Sequence, residues 1–344
     1  MPRMQVFRGF HHPGIAPACA LTIGNFDGVH RGHQAMLALL NSEAKHRGLP
    51  SCVMTFEPHP RDYFALVTGR PEIAPARIAT LRDKLGELQH CGIDQTVVLR
   101  FDRRLAAQSP QAFVDDVLVR GLGARYVLVG DDFRFGARRA GDYAMLDAAG
   151  QQAGFDVARM NSYEVRGLRV SSSAVREALA AGDMARTAAL LGRPYSISGH
   201  VVHGRKLGRS LGASASGGDD GFRTLNLRFS HPKPAALGIY AVRVHGLTTR
   251  ALDGVASLGK RPTVDDGGRV LLETYCLDWP AELGPEGGYG KLVRVELLHK
   301  LRDEARYDGL EALTAAIGQD AVDARAFLAA HAAEQRQTSR DRII

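Results

Sequence analysis

Short unbroken apolar runs alternate with helical patterns through the first half of the chain. Ala18 to Ile23, Ser51 to Phe56, Thr96 to Leu99 and Tyr126 to Val129 each read as a buried strand. Between them Met36, Leu39 and Leu40 recur at helical spacing before Gly48, and Ile78, Leu81, Leu85 and Leu88 predict a helix closing near Gly92. Phe113, Val117 and Leu118 mark another helix stopped by Gly121, and Met145 to Ala149 opens the next. Strands without polar alternation are buried on both faces, as in a parallel sheet covered by helices. The order therefore predicts a doubly wound α/β domain, in which ligands collect at the carboxyl ends of the strands.

The pattern changes after an alanine-rich helical stretch that runs to Leu191 and stops at Gly192-Arg193-Pro194. Beyond it Tyr195 to His203, Thr224 to Phe229, Ile239 to Val244, Val270 to Leu277 and Leu292 to Leu298 are strand-like and separated by glycine-rich turns. Many short strands at this spacing predict a small antiparallel β-barrel. A terminal helix, with Leu310, Leu313 and Ile317 on one face, is expected to pack against it. The expected organisation is an N-terminal domain over 1–186, a barrel domain over 187–335, and a frayed tail over 336–344.

Composition narrows the class of protein. A chain of 344 residues exceeds what one core usually organises, and 45% hydrophobic with 24% charged residues is ordinary for a globular protein. No apolar run reaches membrane-spanning length and no signal peptide opens the chain, so the expectation is a cytoplasmic protein without a membrane partner. The cysteines, Cys19, Cys52, Cys91 and Cys276, lie too far apart for a zinc motif or a disulfide framework, and Cys19, Cys52 and Cys276 read as reduced core residues. The net charge of +7 could suggest nucleic acid, but it is dispersed and aromatics are only 7%, and small anionic substrates explain it equally well; no nucleic-acid partner is expected. Self-association leaves no signature in the sequence.

The most informative stretch is Gly24-Asn25-Phe26-Asp27-Gly28-Val29-His30-Arg31-Gly32-His33, between a predicted strand and a predicted helix. A strand feeding directly into a helix puts the helix's free N–H groups and positive dipole end at a sheet edge, where anions bind. Gly24, Gly28 and Gly32 allow close backbone approach, and His30 and His33 add donors toward a phosphate as charge builds on it. A glycine-rich turn alone is common in α/β proteins. Two histidines around a glycine are harder to explain by packing. Ser171-Ser172-Ser173 before an apolar, alanine-rich stretch reads first as a helix N-cap.

With these segments in view, the chain resembles the His-x-Gly-His nucleotidyltransferases, and within them the bacterial bifunctional riboflavin kinase/FMN adenylyltransferases, or FAD synthetases. Phe56-Glu57-Pro58-His59-Pro60, Gly130-Asp131-Asp132-Phe133-Arg134-Phe135-Gly136 and Val170-Ser171-Ser172-Ser173-Ala174-Val175-Arg176 match in order. The resemblance implies that Gly24, Asn25, Phe26, Asp27, Gly28, His30, Gly32 and His33, with Ser171, Ser172, Ser173 and Arg176, bind nucleotide. His30, His33 and Arg176 would stabilise charge during adenylyl transfer. It places His59, Asp132, Phe133 and Phe135 beside flavin or nucleotide; without it, Pro58 and Pro60 around His59 read as a rigid turn.

The second half resembles the riboflavin kinase module through Ser198-Gly199-His200-Val201-Val202-His203-Gly204, Gly208-Arg209-Ser210-Leu211-Gly212 and Glu273. The family's Pro-Thr-Ala-Asn motif is replaced by Arg223-Thr224-Leu225-Asn226, after a small-residue insertion over 213–221. The resemblance assigns ATP to Gly208, Mg²⁺ and ATP phosphate to Thr224 and Asn226, and the general base to Glu273. By alternation alone, Thr224, Asn226 and Glu273 are ordinary polar residues on barrel strands. The implied activities are conversion of riboflavin and ATP to FMN and ADP in the barrel, then of FMN and ATP to FAD and pyrophosphate in the first domain. Because Arg223 replaces a proline that would fix the backbone, an FMN adenylyltransferase with an inactive barrel stays open as the alternative.

Overall fold

The computed structural model describes residues 3–161, 163–165, 167–203, 224–229, 231, 233–260, 270–284 and 286–341. The chain clusters into two compact units, Met1–Pro75 with Lys84–Ser172, and Ala76–Asp83 with Ser173–Ile344.

The first unit is built on a six-stranded, wholly parallel sheet of order β1-β4-β3-β2-β5-β6. Its strands are β1 (Gln5–Arg8), β2 (Cys19–Ile23), β3 (Ser51–Glu57), β4 (Gln95–Arg100), β5 (Ala124–Gly130) and β6 (Asp156–Met160). The helices between them are α1 (Arg31–His46), α2 (Pro60–Thr68), α3 (Leu81–His90), α4 (Arg103–Ala107), α5 (Pro110–Phe113) and α6 (Tyr143–Ala153). A π-helical stretch, Val114–Gly121, follows α5.

Successive residues of β2 enter two different cores, which is why its sequence shows no polar alternation. Cys19, Leu21 and Ile23 join Val114, Leu118 and Leu146, while Ala20 joins Leu37 and Leu40 of α1. The strand order reverses direction between β2 and β5, and this switch point is where such sheets leave a ligand crevice. The edge strands β1 and β6 carry no apolar run, because one buried residue in β1 and none in β6 is all that edge positions demand. A short hairpin, β7 (Glu164–Val165) with β8 (Leu168–Arg169), follows β6.

The second unit holds α7 (Ser172–Ala181, whose first residue belongs to the other cluster) and α8 (Met184–Leu191). Gly182 (φ +73°) separates them, and Gly192 (φ +77°) closes α8 where the sequence predicts the stop. The barrel comprises β9 (Tyr195–His200), β10 (Thr224–Phe229), β11 (Gly238–His245), β12 (Leu252–Lys260), β13 (Val270–Cys276) and β14 (Leu292–Arg302). All pairs are antiparallel in the order β10-β13-β12-β11-β14-β9. Among the described residues one bridge nearly closes the ring: Val202 N–H donates to the Asn226 carbonyl at 2.9 Å.

Alternation sends Leu225, Leu227, Tyr240, Val242, Ala256, Leu258, Leu272 and Val295 to the buried interior. The sequence reading lacks β12, whose Gly254 and Gly259 look like turn residues. Gly254 is instead a close approach, since a Cβ there would lie 2.7 Å from the Tyr275 carbonyl oxygen.

The last helix, α9 (Leu310–Asp341), covers part of the outer face through Ala321, Ala324, Phe327 and Leu328 against Ile239, Ala241, Val255 and Leu277. The expected contact face is corrected: Leu310 is 67% exposed, and Leu313 and Ile317 are only half-buried. The helix meets the barrel further along than the leucine spacing suggests. It also continues to Asp341, past the point at which a frayed tail is expected.

Candidate active sites

The segment from Gly24 to His33 crosses the carboxyl end of β2 in an unusual backbone conformation. Phe26 (φ +48°), Gly28 (φ +84°) and Val29 (φ +40°) all have positive φ. A β-branched residue rarely adopts this, and Val29 is held there by complete burial with Phe26 in the core beneath α1. Gly24 N–H still pairs with Met54 O at 3.0 Å, so the turn begins where the sheet stops.

His30 is the N-cap of α1, with Nδ1 accepting from His33 N–H at 3.3 Å. The two imidazoles stack at 3.6 Å between centroids and 15° between planes, and Phe26 flanks His33 at 5.0 Å. The first turn of α1 contains no acidic residue, leaving the positive end of the helix dipole uncompensated by carboxylate. At Gly32 an added Cβ would lie 3.3 Å from the His30 ring and 3.4 Å from Val170 O, so this glycine admits both neighbours.

Other segments of the first unit singled out from the sequence follow strands of the same sheet or join this loop. Ser172 Oγ donates to Asp27 O at 3.2 Å, joining the serine cluster to the loop. His59 follows β3, is buried, and caps α2 by accepting from Arg61 N–H at 3.1 Å, with Pro60 as the first helical residue. The helix that His59 opens replaces the simple rigid turn. Asp132, Phe133 and Phe135 follow β5; Asp132 is exposed and Phe133 half-buried. Phe135 is buried in the core against Phe113 at 5.7 Å and stacks on Phe133 at 5.5 Å, so only Phe133 of these two rings keeps accessible surface. Arg176, within the second unit, donates from Nε to Ala76 O at 2.6 Å.

The barrel carries a second polar cluster on its outer face. Asn226 on β10 lies directly across from Glu273 on β13, and Glu273 directly across from Ser257 on β12. Facing pairs in antiparallel strands share a face, so these residues form a row across three strands. Asn226 is 3% exposed, its Nδ2 donates to Thr224 O at 3.4 Å, and its Oδ1 is buried without a hydrogen-bond partner among the described residues. A buried acceptor in that state is costly unless something fills it. Thr224, at the start of the same strand and face, is half-buried.

The sequence reading misses two neighbours of this row. Ser257 Oγ donates to Glu304 Oε1 at 3.3 Å. Partial desolvation, with a smaller contribution from the Glu273 charge, holds the Glu304 carboxyl above its ordinary range. No spacing rule reaches Glu304, which follows the last strand. Gly208, Arg223 and the insertion over 213–221 lie outside the described residues.

A parallel α/β unit with the His30–His33 loop at its switch point, in one chain with an antiparallel barrel that carries a polar row, is the architecture of a two-part nucleotide-using transferase. A FAD synthetase family model matches residues 13–174 and a riboflavin kinase family model matches residues 191–328. The chain is 45% identical over 326 residues to the bifunctional riboflavin kinase/FMN adenylyltransferase of Escherichia coli K12, covering 94% of this chain and 98% of the relative. The Pseudomonas fluorescens protein of the same name is 43% identical over 95% of this chain and 98% of its own, and the Haemophilus influenzae one 40% over 94% and 99%. A crystal structure titled as a macrolide-efflux protein from Streptococcus pneumoniae shares the fold, with a TM-score of 0.70 and 24% identity over 94% of this chain and 99% of that one. The chain belongs to the bifunctional riboflavin kinase/FMN adenylyltransferase family. Both domains are present, which favours the two-activity reading over an adenylyltransferase with an inactive barrel. Among the described residues no helix is long and apolar enough to cross a membrane.

Proposed function

We propose that the outer-face row of the barrel phosphorylates riboflavin and that the Gly24 to His33 site adenylylates the resulting FMN. The observation that carries the residue assignment is the direct opposition of Asn226 and Glu273, with the amide oxygen of Asn226 buried and without a hydrogen-bond partner among the described residues. In the kinase step Glu273 accepts the proton of the ribityl 5′-hydroxyl as that oxygen bonds to the γ-phosphorus of ATP and the bond to the departing ADP breaks. Thr224 and Asn226 offer neutral oxygens, a donor set that suits Mg²⁺ shared with substrate phosphates. The ion, when bound, neutralises charge on the transferring phosphoryl group.

In the second step an FMN phosphate oxygen bonds to the α-phosphorus of another ATP and pyrophosphate leaves. The nucleophile is already anionic, so the protein's part is positioning and charge stabilisation rather than base catalysis. The N–H groups at the start of α1 receive phosphate, with His30, His33 and Arg176 as the cationic or donating side chains. Ser171, Ser172, Ser173 and Gly208 complete the nucleotide contacts of the two sites, and His59, Asp132 and Phe133 border the flavin. Such an enzyme, using ATP and carrying unpaired cysteines, works in the cytoplasm. The division proposed is 1–186 for adenylylation and 187–335 for phosphorylation.

The test is a time course of purified protein with riboflavin, ATP and Mg²⁺, the flavins separated chromatographically. FMN rising before FAD is expected, with FMN formation abolished by a chelator and restored by Mg²⁺. FAD from added FMN, with no FMN from riboflavin, would overturn the kinase half of the assignment.

A further inference from the structure

We propose that Lys84 is a positioning residue for adenylyl transfer: a buried ammonium that acts through the Thr55 hydroxyl to fix the Asn25–Phe26 peptide at the start of the phosphate loop. This rests on the reading of Gly24 to His33 as the adenylylation site.

Lys84 lies in the first turn of α3 and, at 1% exposed, is as buried as Leu88 one turn further on. Leu85 and Leu88 join the core beneath α1, so this face of α3 lies on the α1 side of the sheet. Val53 of β3 enters the same core, and Thr55, two residues on, shares its face and is fully buried. The two polar side chains meet near the carboxyl end of β3. Lys84 Nζ donates to Thr55 Oγ at 3.4 Å, and Thr55 Oγ donates to the Asn25 main-chain carbonyl at 3.2 Å. Lysine is among the residues least often buried, because its ammonium loses water there, whereas a methionine would fill the space without that loss.

The chemistry of the two groups gives the relay its direction. An ammonium only donates, while a hydroxyl has one proton and two lone pairs. With Lys84 on a lone pair, the Thr55 proton is directed to Asn25 O, and the neighbouring charge strengthens that bond. The Asn25 carbonyl is thereby held toward β3. The 25–26 peptide is trans, so its N–H points the opposite way, away from Thr55. Among the described residues Phe26 N–H makes no backbone hydrogen bond. Phe26 also has φ +48°, a conformation that persists only where its surroundings over-determine it. Lys84 and Thr55 supply one such constraint, and they set the donor before charge develops on the phosphate, which is what makes a donor effective in the transition state.

Steady-state FAD formation from FMN and ATP by full-length Thr55→Val, Thr55→Ser and Lys84→Met variants tests this. In Thr55→Val kcat is expected to fall about 10- to 100-fold, somewhat less than for removal of a whole oxyanion donor, while the KM for FMN stays within about twofold. Thr55→Ser keeps the hydroxyl and should restore parental kcat. Lys84→Met should lower kcat to a similar extent as Thr55→Val. The Thr55→Val/Lys84→Met double variant should be no slower than the slower single one, because both substitutions break one relay. Thermal midpoints and FMN formation from riboflavin report whether each variant is folded.

Parental kcat in folded Thr55→Val, equal losses in Thr55→Val and Thr55→Ser, or losses that multiply in the double variant would overturn the proposal and leave Lys84 and Thr55 as packing. Should Lys84→Met not fold, the two Thr55 variants decide the question alone. His33→Ala separates the two layers of argument. Parental FAD formation in His33→Ala removes the site reading on which the relay rests. An inactive His33→Ala beside a parental Thr55→Val removes only the relay.

Discussion

Asn226 and Glu273 face each other across β10 and β13, while the Asn226 carbonyl accepts the hydrogen bond by which Val202 bridges to β10. One residue thus takes part in the ring's closing bridge with its main chain and faces the proposed metal and phosphate site with its side chain.

Replacing Asn226 by Ala should therefore act on chemistry more than on stability. The Asn226→Ala main chain keeps the Val202 bridge, and no side-chain acceptor bond among the described residues is lost. FMN formation is expected to fall by about 100-fold or more in kcat/KM, with FAD formation from added FMN retained. Separate rate measurements for the two products check this.

The two histidines of the α1 site should separate by stability. His30→Ala removes the N-cap acceptor of α1 and is expected to cost about 0.5–2 kcal/mol in urea unfolding as well as FAD formation. His33→Ala, whose backbone N–H is the donor in that cap, should lose FAD formation by about 100-fold at smaller cost in stability. Equal destabilisation by both substitutions would count against the capping role.

Asp83 ties the Ala76–Asp83 segment to the barrel: Oδ1 accepts from Ser198 N–H at 3.1 Å and Oδ2 from the Thr80 hydroxyl at 2.6 Å. Burial raises its carboxyl above the ordinary range, only partly opposed by these hydrogen bonds. The folded chain then holds this proton more tightly than the unfolded chain does. Its contribution to stability is greatest below the ordinary aspartate value of about 3.9 and falls as pH rises toward the raised folded value. Asp83→Asn lacks this slope, so its stability relative to the parent should improve as pH rises through that window. Asp83→Ala should cost about 1–3 kcal/mol by stranding the Ser198 and Thr80 donors. Urea midpoints across pH 4–7 measure both.

Thiol chemistry should distinguish one cysteine from three. Cys19, Cys52 and Cys276 are buried, and burial pushes the Cys276 thiol up to about 12. The Cys52 thiol is also raised, first by its hydrogen bond with Cys19 and then by burial. In the native protein a thiol reagent at mildly alkaline pH should label Cys91 alone, and all four cysteines in denaturant. Rapid native labelling of Cys19 or Cys52 would contradict the packing of β2 against β3.

What could be read from the sequence follows where burial writes a pattern. Cys19 to Ile23 and Tyr126 to Val129 are apolar without interruption because both sheet faces are covered, so the central strands and the switch-point loop between them were visible. Gln5–Arg8 and Asp156–Met160 sit at the edges, where burial imposes almost nothing on sequence. Gly254 and Gly259 hid a central barrel strand, since close approach and turning select the same residue. The row of Asn226 and Glu273 depends on strand register, which no local pattern records, and Glu304 joins it from beyond the last strand. Leu310 misled because an exposed leucine at a helix start has the same spacing as a packed one.

The register of β10 has a consequence for how freely this chain can change length. Leu225, Leu227 and Phe229 face inward against Thr274, Leu272 and Val270, and a slip of one residue would turn all three outward and carry Asn226 inside. The apolar side of the strand, rather than the residues before it, sets where Thr224 and Asn226 stand. Residues can accordingly be added to or removed from 213–221 in single steps, and a series of such insertions and deletions should leave the Asn226–Glu273 pairing in place.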